Sequence, residues 1–166
     1  MIQVGDRIPD AILTESTEFG EACPVAPNKV SVAEATQKKR IVIFGLPGAY
    51  TPTCSSKHVP GYLARLPELK SKKVDEVWCV SVNDGYVMAA WGREQKAIGK
   101  VRMLGDGNGD FAKKLGVDND LSGSNMGLRM KRFSMLVDDG VVKSMNLEAP
   151  GKFEVSDADT MLKQLG

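Results

Sequence analysis

The sequence predicts an α/β fold with parallel strands at its centre, and two apolar stretches are the basis for this prediction. Residues 41–44 form a continuous apolar run with three β-branched members, and residues 77–82 form a second, mainly apolar run. Such runs are typical of strands that are covered on both faces. A segment with helical spacing follows each run. The order strand, helix, strand, helix favours parallel pairing through crossover connections.

The N-terminal part of the chain predicts little regular structure. Residues 2–14 alternate weakly between apolar and polar and contain Gly5 and Pro9, which suits an edge hairpin or an irregular entry better than a central strand. Ser31 is suited to cap a short helix that extends to Gln37.

A helix is predicted to begin at Thr51, after the turn residues that follow the first apolar run. Its core face would consist of residues at i, i+4 and i+7, namely Val59, Leu63 and Leu66. Pro60 lies within this helix, where it lacks an amide donor and crowds the carbonyl of Ser56. A kink is therefore expected near Pro60.

The second apolar run is followed by another helix, which Asn83 or Asp84 can cap. The residues expected to point inward from this helix are Val87, Ala90, Trp91 and Ile98. A short strand is predicted at residues 101–104 and a short helix at residues 110–115.

The C-terminal part predicts a hairpin and a final helix. Residues 133–137 and 141–147 flank an Asp-Asp-Gly sequence, which is a strong hairpin signal. Ser156 and Asp159 resemble a capping box for a helix whose apolar positions are Ala158, Met161, Leu162 and Leu165. Because the chain contains no internal repeat and no linker, residues 1–166 are predicted to form one domain.

The composition excludes several classes of function. With 42% hydrophobic and 26% charged residues, the chain is typical of a globular protein and not of a disordered one. Lys and Arg total 22 and Asp and Glu total 21, so no broad basic face for nucleic acid or a membrane is predicted. We therefore expect a small or neutral substrate.

The start of the chain and its cysteines favour a cytoplasmic location. Asp6, Arg7 and Pro9 interrupt the segment that a signal peptide would keep apolar, and no run approaches the ~18 apolar residues of a membrane span. The three cysteines are an odd and sparse set, unlike the framework of a small secreted domain: Cys23, Cys54 and Cys79. A reducing compartment is the expectation.

Metal and cofactor motifs are absent from the sequence. The acidic stretch from Asp106 has Phe111 where a calcium loop needs glycine, and the stretch from Asp118 has Arg129 where it needs glutamate. The cysteines and the single histidine, His58, include no closely spaced C-x-x-C pair of the kind found in zinc sites and dithiol oxidoreductases. No metal and no cofactor are therefore predicted.

Cys54 is the strongest candidate for a chemical role. If Thr51 is the N-cap and Pro52 takes the first helical position, Cys54 lies in the first turn, where backbone amides have no partner within the helix. The partial positive charge of the helix terminus favours thiolate over thiol at that position.

A nearby cation would favour the thiolate further. Arg129, in the polar segment GLRMKRFS before a predicted strand, is the candidate. The alternative interpretation is that Arg129, Lys131 and Arg132 form a solvated basic edge.

Three separated segments resemble one family. The run from Pro47 to Cys54 resembles the P-x-x-x-T-x-x-C signature of peroxiredoxins, and its extension SSKHVPGY resembles their type II (type 5) subfamily. The segments VDEVWCVSVNDGYVMAAW and RMKRFSMLVDDGVV resemble the same subfamily, so the resemblance spans most of the chain. It implies a thioredoxin-like α/β fold with a central mixed sheet flanked by helices.

The resemblance also implies a set of catalytic roles. Cys54 would be the peroxidatic cysteine that attacks the terminal oxygen of a hydroperoxide and becomes a sulfenic acid. Thr51 would hold the peroxide, Pro47 would shield the thiolate from water, and Arg129 would support the thiolate and the developing negative charge. These roles match the need of O–O cleavage for an aligned nucleophile and for donors aimed at the leaving oxygen.

The resemblance does not fix how the sulfenic acid is reduced. Cys79 matches a cysteine of the plant-type branch and is a candidate resolving thiol, but its apolar surroundings favour an inert core residue. Cys23 has no assigned counterpart. The preferred scheme uses Cys54 alone, with glutathione and glutaredoxin or with thioredoxin as the reductant, and the resemblance implies a homodimer.

Two other functions compete with the peroxidase hypothesis. One is a non-enzymatic redox sensor or chaperone-like protein that uses Cys54 as a switch. The other is a cysteine hydrolase in which His58, one turn after Cys54, acts as the base. Because the resemblance includes His58 without making it a base, we interpret it as a residue that orders the pocket.

Overall fold

A computed structural model describes all 166 residues, and a seven-stranded sheet lies at its centre. The strand order is β2-β1-β5-β4-β3-β8-β9. A separate two-stranded ribbon pairs β6 with β7. The strands are β1 (Ile12–Glu15), β2 (Asn28–Ser31), β3 (Arg40–Gly45), β4 (Glu76–Ser81), β5 (Arg102–Gly105), β6 (Asp118–Asp120), β7 (Leu128–Met130), β8 (Phe133–Asp138) and β9 (Val141–Leu147).

The middle of the sheet is parallel and its flanks are antiparallel. β3 pairs in parallel with β4, and β4 pairs in parallel with β5. β8 lies antiparallel to β3, and the predicted hairpin joins β8 to β9 through Asp139 and Gly140, both at positive φ. The prediction of an α/β fold with a central mixed sheet flanked by helices is therefore confirmed.

The helices are short, and a continuous helical segment follows β3. They are α1 (Val32–Ala35), α2 (Val59–Ala64), α3 (Leu66–Ser71), α4 (Gly85–Glu94), α5 (Asp110–Leu115) and α6 (Ala158–Leu165). Residues 52–53 and a π-helical turn (Cys54–His58) lead directly into α2. None of these helices has the length and apolar character that crossing a membrane requires.

The sheet separates two apolar cores. Along β3, Ile41 and Ile43 belong to one core, and Val42 and Phe44 belong to the other. The first core also contains apolar residues of α1 and α5. The second contains residues of α2, α3, α4 and α6, and it includes Cys54. The candidate nucleophile therefore lies within a packed core and not in an exposed loop.

The predicted inward face of α4 was partly wrong. Trp91 is buried as expected, but Val87 and Ala90 are only half-buried, and the other buried positions are Gly85, Met88, Ala89 and Gly92. A Cβ on Gly92 would lie 2.7 Å from Cγ of Met103. The close approach of α4 to β5 thus depends on small residues, which the apolar pattern did not indicate.

The predicted capping box of the last helix was also wrong. Asp157 caps α6 by accepting a hydrogen bond from the Thr160 amide. Ser156 is buried, and its hydroxyl donates to the carboxylate of Glu148. The β6–β7 ribbon was not predicted, because its short strands lack alternating apolar residues.

Candidate active site

The loop that leads from β3 to Cys54 is held against the end of β4. The Ser81 hydroxyl donates to the Leu46 carbonyl at 3.1 Å, and the Ala49 amide donates to Oδ1 of Asn83 at 3.0 Å. β3 and β4 are parallel neighbours, so their carboxyl ends lie at the same edge of the sheet. The candidate site lies at this edge, where the loop that follows β3 forms hydrogen bonds with the end of β4 and with the loop after it.

Two glycines allow close packing around this loop. A Cβ on Gly45 would lie 2.2 Å from Cε1 of Phe133, and a Cβ on Gly48 would lie 2.7 Å from Nη1 of Arg129. Neither distance is sterically possible without movement of the neighbour. The end of β3 therefore requires glycine at position 45, where the buried Phe133 ring cannot move aside, whereas at position 48 the flexible end of Arg129 would have to shift.

The Cys54 sulfur is buried and has two polar neighbours. Oγ1 of Thr51 lies 2.8 Å from Sγ, and Nη2 of Arg132 lies 3.1 Å from it. Oγ1 of Thr51 is also 2.8 Å from the Gly48 carbonyl. Because a hydroxyl has one proton, Thr51 donates to the carbonyl when Cys54 is a thiol and is able to donate to sulfur when Cys54 is a thiolate.

The first helical turn leaves backbone donors beside this sulfur. The amide N–H groups of Thr53 and Cys54 donate to no acceptor in the protein, and Pro52 has no N–H. The first helical hydrogen bond runs from the Ser55 amide to the Thr51 carbonyl at 3.0 Å. Thr51 therefore precedes the helix as predicted, and two free donors remain at the helix start.

The helix widens at Cys54. The Val59 amide donates to the Cys54 carbonyl, which closes a π-helical turn over Cys54–His58. Pro60 has no N–H to give to the Ser56 carbonyl, so a regular α-helix would lack a hydrogen bond there. The irregularity expected at Pro60 is thus a π-turn that begins at the cysteine, and such turns are frequent at functional sites.

The predicted contact between Arg129 and Cys54 is replaced by a contact from Arg132. Arg129 donates to the carbonyls of Met126 at 3.0 Å and Pro47 at 3.4 Å, and it has no hydrogen bond to the sulfur. Arg132 lies directly before β8, whose first residue, Phe133, pairs with the last residue of β3. Its position places Arg132 beside the loop after β3.

A sequence signal for Arg132 did exist. It is the residue immediately before the predicted strand at 133–137, and an antiparallel partner of β3 begins where β3 ends. Arg129 lies in β7, which belongs to the separate ribbon that the sequence did not reveal. Because the sequence pattern does not indicate this ribbon, it predicts Arg129 as the neighbour of the sulfur in place of Arg132.

His58 is buried and neutral. Burial, and to a smaller degree the charge of Arg132, lower the pKa of His58 to about 3. Its Nδ1 lies 2.8 Å from Nη1 of Arg132, and its Nε2 lies 3.0 Å from the Ser156 carbonyl. Both ring nitrogens therefore have partners other than Cys54, and the Cys-His pair of a hydrolase is not present.

Comparison with known proteins identifies the family of this chain. The redoxin family model matches residues 3–162. Peroxiredoxin-2B of Arabidopsis thaliana is 43% identical over 99% of this chain and 98% of its own length, and the chloroplastic peroxiredoxin-2E of that plant is 45% identical over 99% of this chain and 69% of its own length. The reduced Prx3 of Vibrio vulnificus in complex with hydrogen peroxide is 42% identical, with a TM-score of 0.91 and complete coverage of both chains. The chain belongs to the type II peroxiredoxins.

A further similar structure is a Burkholderia cenocepacia protein for which a thioredoxin reductase activity has been suggested. It is 53% identical, with a TM-score of 0.95 over 100% of this chain and 99% of that one. The paired cysteines of dithiol oxidoreductases are absent here, because Ser55, Ser56 and Lys57 follow Cys54. The peroxiredoxin is a thiol-dependent peroxidase, with a peroxide as substrate and a thiol as reductant.

The other two cysteines of the peroxiredoxin occupy different environments. Cys79 is fully buried in the middle of β4, opposite Phe44 of β3 on one side and Met103 of β5 on the other. Burial, and then the nearby charge of Cys54, raise the pKa of the Cys79 thiol well above its usual value. Cys23 is exposed in the loop between β1 and β2.

A groove opens beside the candidate active site. Its volume is about 680 Å³, and Pro47, Thr53 and Arg132 contribute to the wall nearest to Cys54. The remaining wall includes apolar surface from Phe153 and two exposed cations, Lys131 and Lys152. The groove therefore combines apolar surface with positive charge next to the sulfur.

Proposed function

We propose that this peroxiredoxin reduces hydrogen peroxide and small organic hydroperoxides through a sulfenic acid at Cys54. The observation that carries the proposal is the pair of donors at the sulfur: Oγ1 of Thr51 at 2.8 Å and Nη2 of Arg132 at 3.1 Å. The unpaired amides of the first helical turn add donors at the same place. A nucleophile surrounded by fixed donors suits a reaction in which negative charge moves from sulfur to oxygen.

The chemical step is a displacement at oxygen. The Cys54 thiolate attacks the terminal oxygen of the hydroperoxide, the S–O bond forms, and the O–O bond breaks. The leaving alkoxide takes a proton and departs as an alcohol, or as water when the substrate is hydrogen peroxide. The sulfur is oxidised to a sulfenic acid while the peroxide is reduced.

Each neighbouring residue has a role in this step. The Thr51 hydroxyl and the free amides of Thr53 and Cys54 hold the two peroxide oxygens in line with the sulfur. Arg132 stabilises the thiolate and then the charge that develops on the leaving oxygen. Pro47, half-buried in the groove wall, limits the access of water.

Arg129 has a supporting role in this scheme. Its guanidinium donates to the Pro47 carbonyl, and Gly48 leaves space for it. It therefore orders the loop that carries Pro47, in place of the direct contact with the thiolate that was predicted.

Two measurements test the peroxidase step. Mixing the reduced enzyme with an equimolar amount of hydrogen peroxide in a stopped-flow instrument is expected to oxidise Cys54 far faster than free cysteine at the same pH. A rate equal to that of free cysteine would contradict the proposal. Fast oxidation without sustained peroxide consumption in the presence of any thiol reductant would instead favour the redox-sensor hypothesis.

The proposed reductant is glutathione with glutaredoxin, or thioredoxin, acting on Cys54 alone. One thiol displaces water from the sulfenic acid to give a mixed disulfide, and a second thiol releases Cys54. The burial of Cys79 inside a strand that is paired on both sides supports a cycle without a resolving cysteine. Lys131 and Lys152 at the groove support a carboxylate-bearing thiol such as glutathione.

Intact-mass analysis after one equivalent of peroxide tests this scheme. We expect Cys54 to gain a single oxygen atom, and glutathione to convert that species into a mixed disulfide. A Cys54–Cys79 disulfide, or one between two subunits, would overturn the one-cysteine cycle.

We also propose a cytoplasmic homodimer. The free state of all three cysteines is consistent with a reducing compartment. Tyr50 and Tyr86 are about half-exposed, and large exposed aromatic residues are enriched at protein interfaces. Light scattering coupled to size-exclusion chromatography tests the dimer, and a monomer at micromolar concentration would contradict it.

A further inference from the structure

A chain of hydrogen bonds leads away from the Cys54 sulfur through the core. Arg132 uses Nη2 on the sulfur and Nη1 on Nδ1 of His58. His58 continues through Nε2 to the carbonyl of Ser156, in the loop between β9 and α6. The Tyr62 hydroxyl donates to the same carbonyl at 2.9 Å. The sulfur is thus connected to a loop about a hundred residues away in sequence.

The partners of His58 fix its tautomer. A carbonyl only accepts hydrogen bonds, so Nε2 must carry the proton. A guanidinium only donates, so Nδ1 must be without a proton. Both contacts exist together only in the neutral Nε2–H form. The Ser156 carbonyl therefore makes Nδ1 an acceptor for Arg132.

Glu148 orders the loop that supplies this carbonyl. Its carboxylate accepts hydrogen bonds from the amides of Glu154, Val155 and Ser156 at 2.8–2.9 Å, and from the Ser156 hydroxyl at 2.7 Å. The Glu148 side chain is nearly fully buried. A buried carboxylate with this many donors is held firmly, and it in turn holds residues 154–156.

Glu148 also lies directly beside Arg132. Its backbone amide donates to the Arg132 carbonyl at 3.0 Å. Phe153, in the same loop, packs its ring 5.0 Å from the His58 ring and 5.8 Å from the Arg132 guanidinium carbon. The loop therefore contacts Arg132 at the backbone, at the guanidinium and through His58.

The partner of Arg132 is neutral, unlike those of two other arginines in the chain. Arg65 and Arg102 form ion pairs with carboxylates, whereas Arg132 forms none. A carboxylate partner would share the positive charge that the sulfur needs. A neutral histidine orients the guanidinium and leaves its charge for Cys54.

We infer that Glu148 and His58 are positioning residues that hold the Arg132 guanidinium on the Cys54 sulfur through the Ser156 carbonyl. Neither residue touches the peroxide, and both act through Arg132. The inference rests on the proposed role of Cys54 as peroxidatic cysteine. It predicts that changes at these two sites alter the ionisation and reaction rate of a thiol to which neither residue is hydrogen-bonded.

Glu148→Gln is the first test, with Asp106→Asn as its matched control. Asp106 is also a buried carboxylate, and it accepts hydrogen bonds from the amides of Phe111 and Ala112 without joining the Cys54 network. Both variants place an amide group against backbone donors. We expect Glu148→Gln to lower the second-order rate constant for peroxide by about 10- to 100-fold, because a shift of about 1 Å in a positioned group has effects of this size. Asp106→Asn should retain the wild-type rate.

The second test replaces His58. It decides the inference even if Glu148→Gln fails to fold. His58→Phe keeps an aromatic ring against Phe44 and Phe153 but removes the acceptor for Arg132. His58→Gln keeps one donor and one acceptor, so it should retain a higher rate than His58→Phe. In an Arg132→Lys background, His58→Phe should have little further effect, because its action passes through the guanidinium.

The second readout is thiol ionisation, which is measured by ultraviolet absorbance and by the rate of alkylation at several pH values. A purely structural role of these residues would not change it. We expect the midpoint of Cys54 ionisation to rise in Glu148→Gln and His58→Phe and to stay at the wild-type value in Asp106→Asn. Wild-type ionisation and rate in folded His58→Phe, or additive effects with Arg132→Lys, would overturn the inference. If the wild-type enzyme itself reacted slowly with peroxide, the proposed function would fail, while the ionisation data would still decide the positioning role.

Discussion

Cys54 and Cys79 are two fully buried cysteines in one apolar core, and they differ in the polar groups around them. The Cys54 sulfur has Thr51 and Arg132 within hydrogen-bond distance. Cys79 has no such partner, and burial raises the pKa of its thiol well above the usual value. The comparison indicates that burial alone disfavours ionisation of a thiol, and that fixed donors are what make Cys54 the better candidate for the reactive one.

The two cysteines also differ in the kind of backbone that carries them. Cys79 lies within a central strand whose backbone groups are paired with both neighbouring strands. Cys54 lies at the start of a helix, beside amides that have no protein acceptor. A ligand is able to use the free donors around Cys54, whereas the strand around Cys79 offers none.

The largest expected effect comes from removing the reactive thiol. Cys54→Ser replaces the sulfur with a hydroxyl that is a much weaker nucleophile at neutral pH, so the fast peroxide reaction should be lost completely. Stopped-flow oxidation and steady-state peroxide consumption measure this. A fast reaction that persisted in folded Cys54→Ser would assign the chemistry to another residue.

The next effect separates the two arginines. Arg132→Met removes a charged donor from the sulfur and should lower the rate constant by about 100- to 1,000-fold, as the loss of a single stabilising donor does in other enzymes. Arg129→Met is the matched control, because the Arg129 guanidinium donates hydrogen bonds to the Met126 and Pro47 carbonyls and none to the sulfur. Its effect should be smaller. Equal losses in both variants would contradict the assignment of Arg132.

Local rules of helix formation made the Cys54 side of this site predictable. Thr51, Pro52 and Cys54 lie within four residues at the start of one helix. Capping preferences alone place the cysteine in the first turn. The apolar runs likewise predicted β3 and β4, and the Asp-Asp-Gly turn predicted the hairpin of β8 and β9. All of these signals lie within a few residues of the element that they describe.

The contributions from distant parts of the chain were not predictable in the same way. Arg132 reaches the sulfur because β8 pairs with β3 in one particular register, and the loop that holds Ser156 is connected to it only through His58 and Arg132. Ser156 shows the limit most clearly. Its residue type suited a helix cap, but the buried carboxylate of Glu148, eight residues earlier, accepts hydrogen bonds from its hydroxyl and its amide.

Thr51 provides a smaller effect with a close control. Thr51→Val keeps the shape of the side chain but removes the hydroxyl at 2.8 Å from the sulfur. The loss of a hydrogen bond to a charged group is expected to cost about 1.5–3 kcal/mol, or roughly 10- to 150-fold in rate. Thr51→Ser keeps the hydroxyl and should retain most of the activity. A rate for Thr51→Val equal to that of Thr51→Ser would exclude a role for the hydroxyl.

His58, which is linked to Cys54 through Arg132, is expected to make the stability of the protein depend on pH. Burial, and to a smaller degree the charge of Arg132, lower its pKa from 6.5 to about 3 on folding, while the Ser156 carbonyl and the carboxylates of Glu148 and Asp157 oppose this shift. Between these two pH values the unfolded chain binds a proton that the folded chain does not. The free energy of unfolding should therefore decrease as the pH falls from 6.5 towards 3, by up to about 1.4 kcal/mol per pH unit from this group.

Chemical denaturation of wild type and His58→Phe at several pH values in this range measures that contribution. Other carboxylates titrate in both proteins, so the difference between the two slopes isolates His58. The variant should lose less stability on acidification. Parallel slopes would show that His58 is protonated in the folded enzyme, contrary to its two hydrogen bonds.

The smallest expected effect is that of Cys79→Val, and this variant tests most directly whether Cys79 is inert. Valine is apolar and close to cysteine in size, and Cys79 has no hydrogen bond to lose, so the free energy of unfolding should change by less than about 1.5 kcal/mol. The rates of peroxide reduction and of recycling by glutathione should stay at their wild-type values.

Because β4 is paired with strands on both sides, Cys79 could reach a sulfenic acid at Cys54 only if part of the sheet opened. A variant that reacted once with peroxide at the normal rate but no longer recycled would show that such opening occurs, and it would make Cys79 a resolving thiol despite its burial.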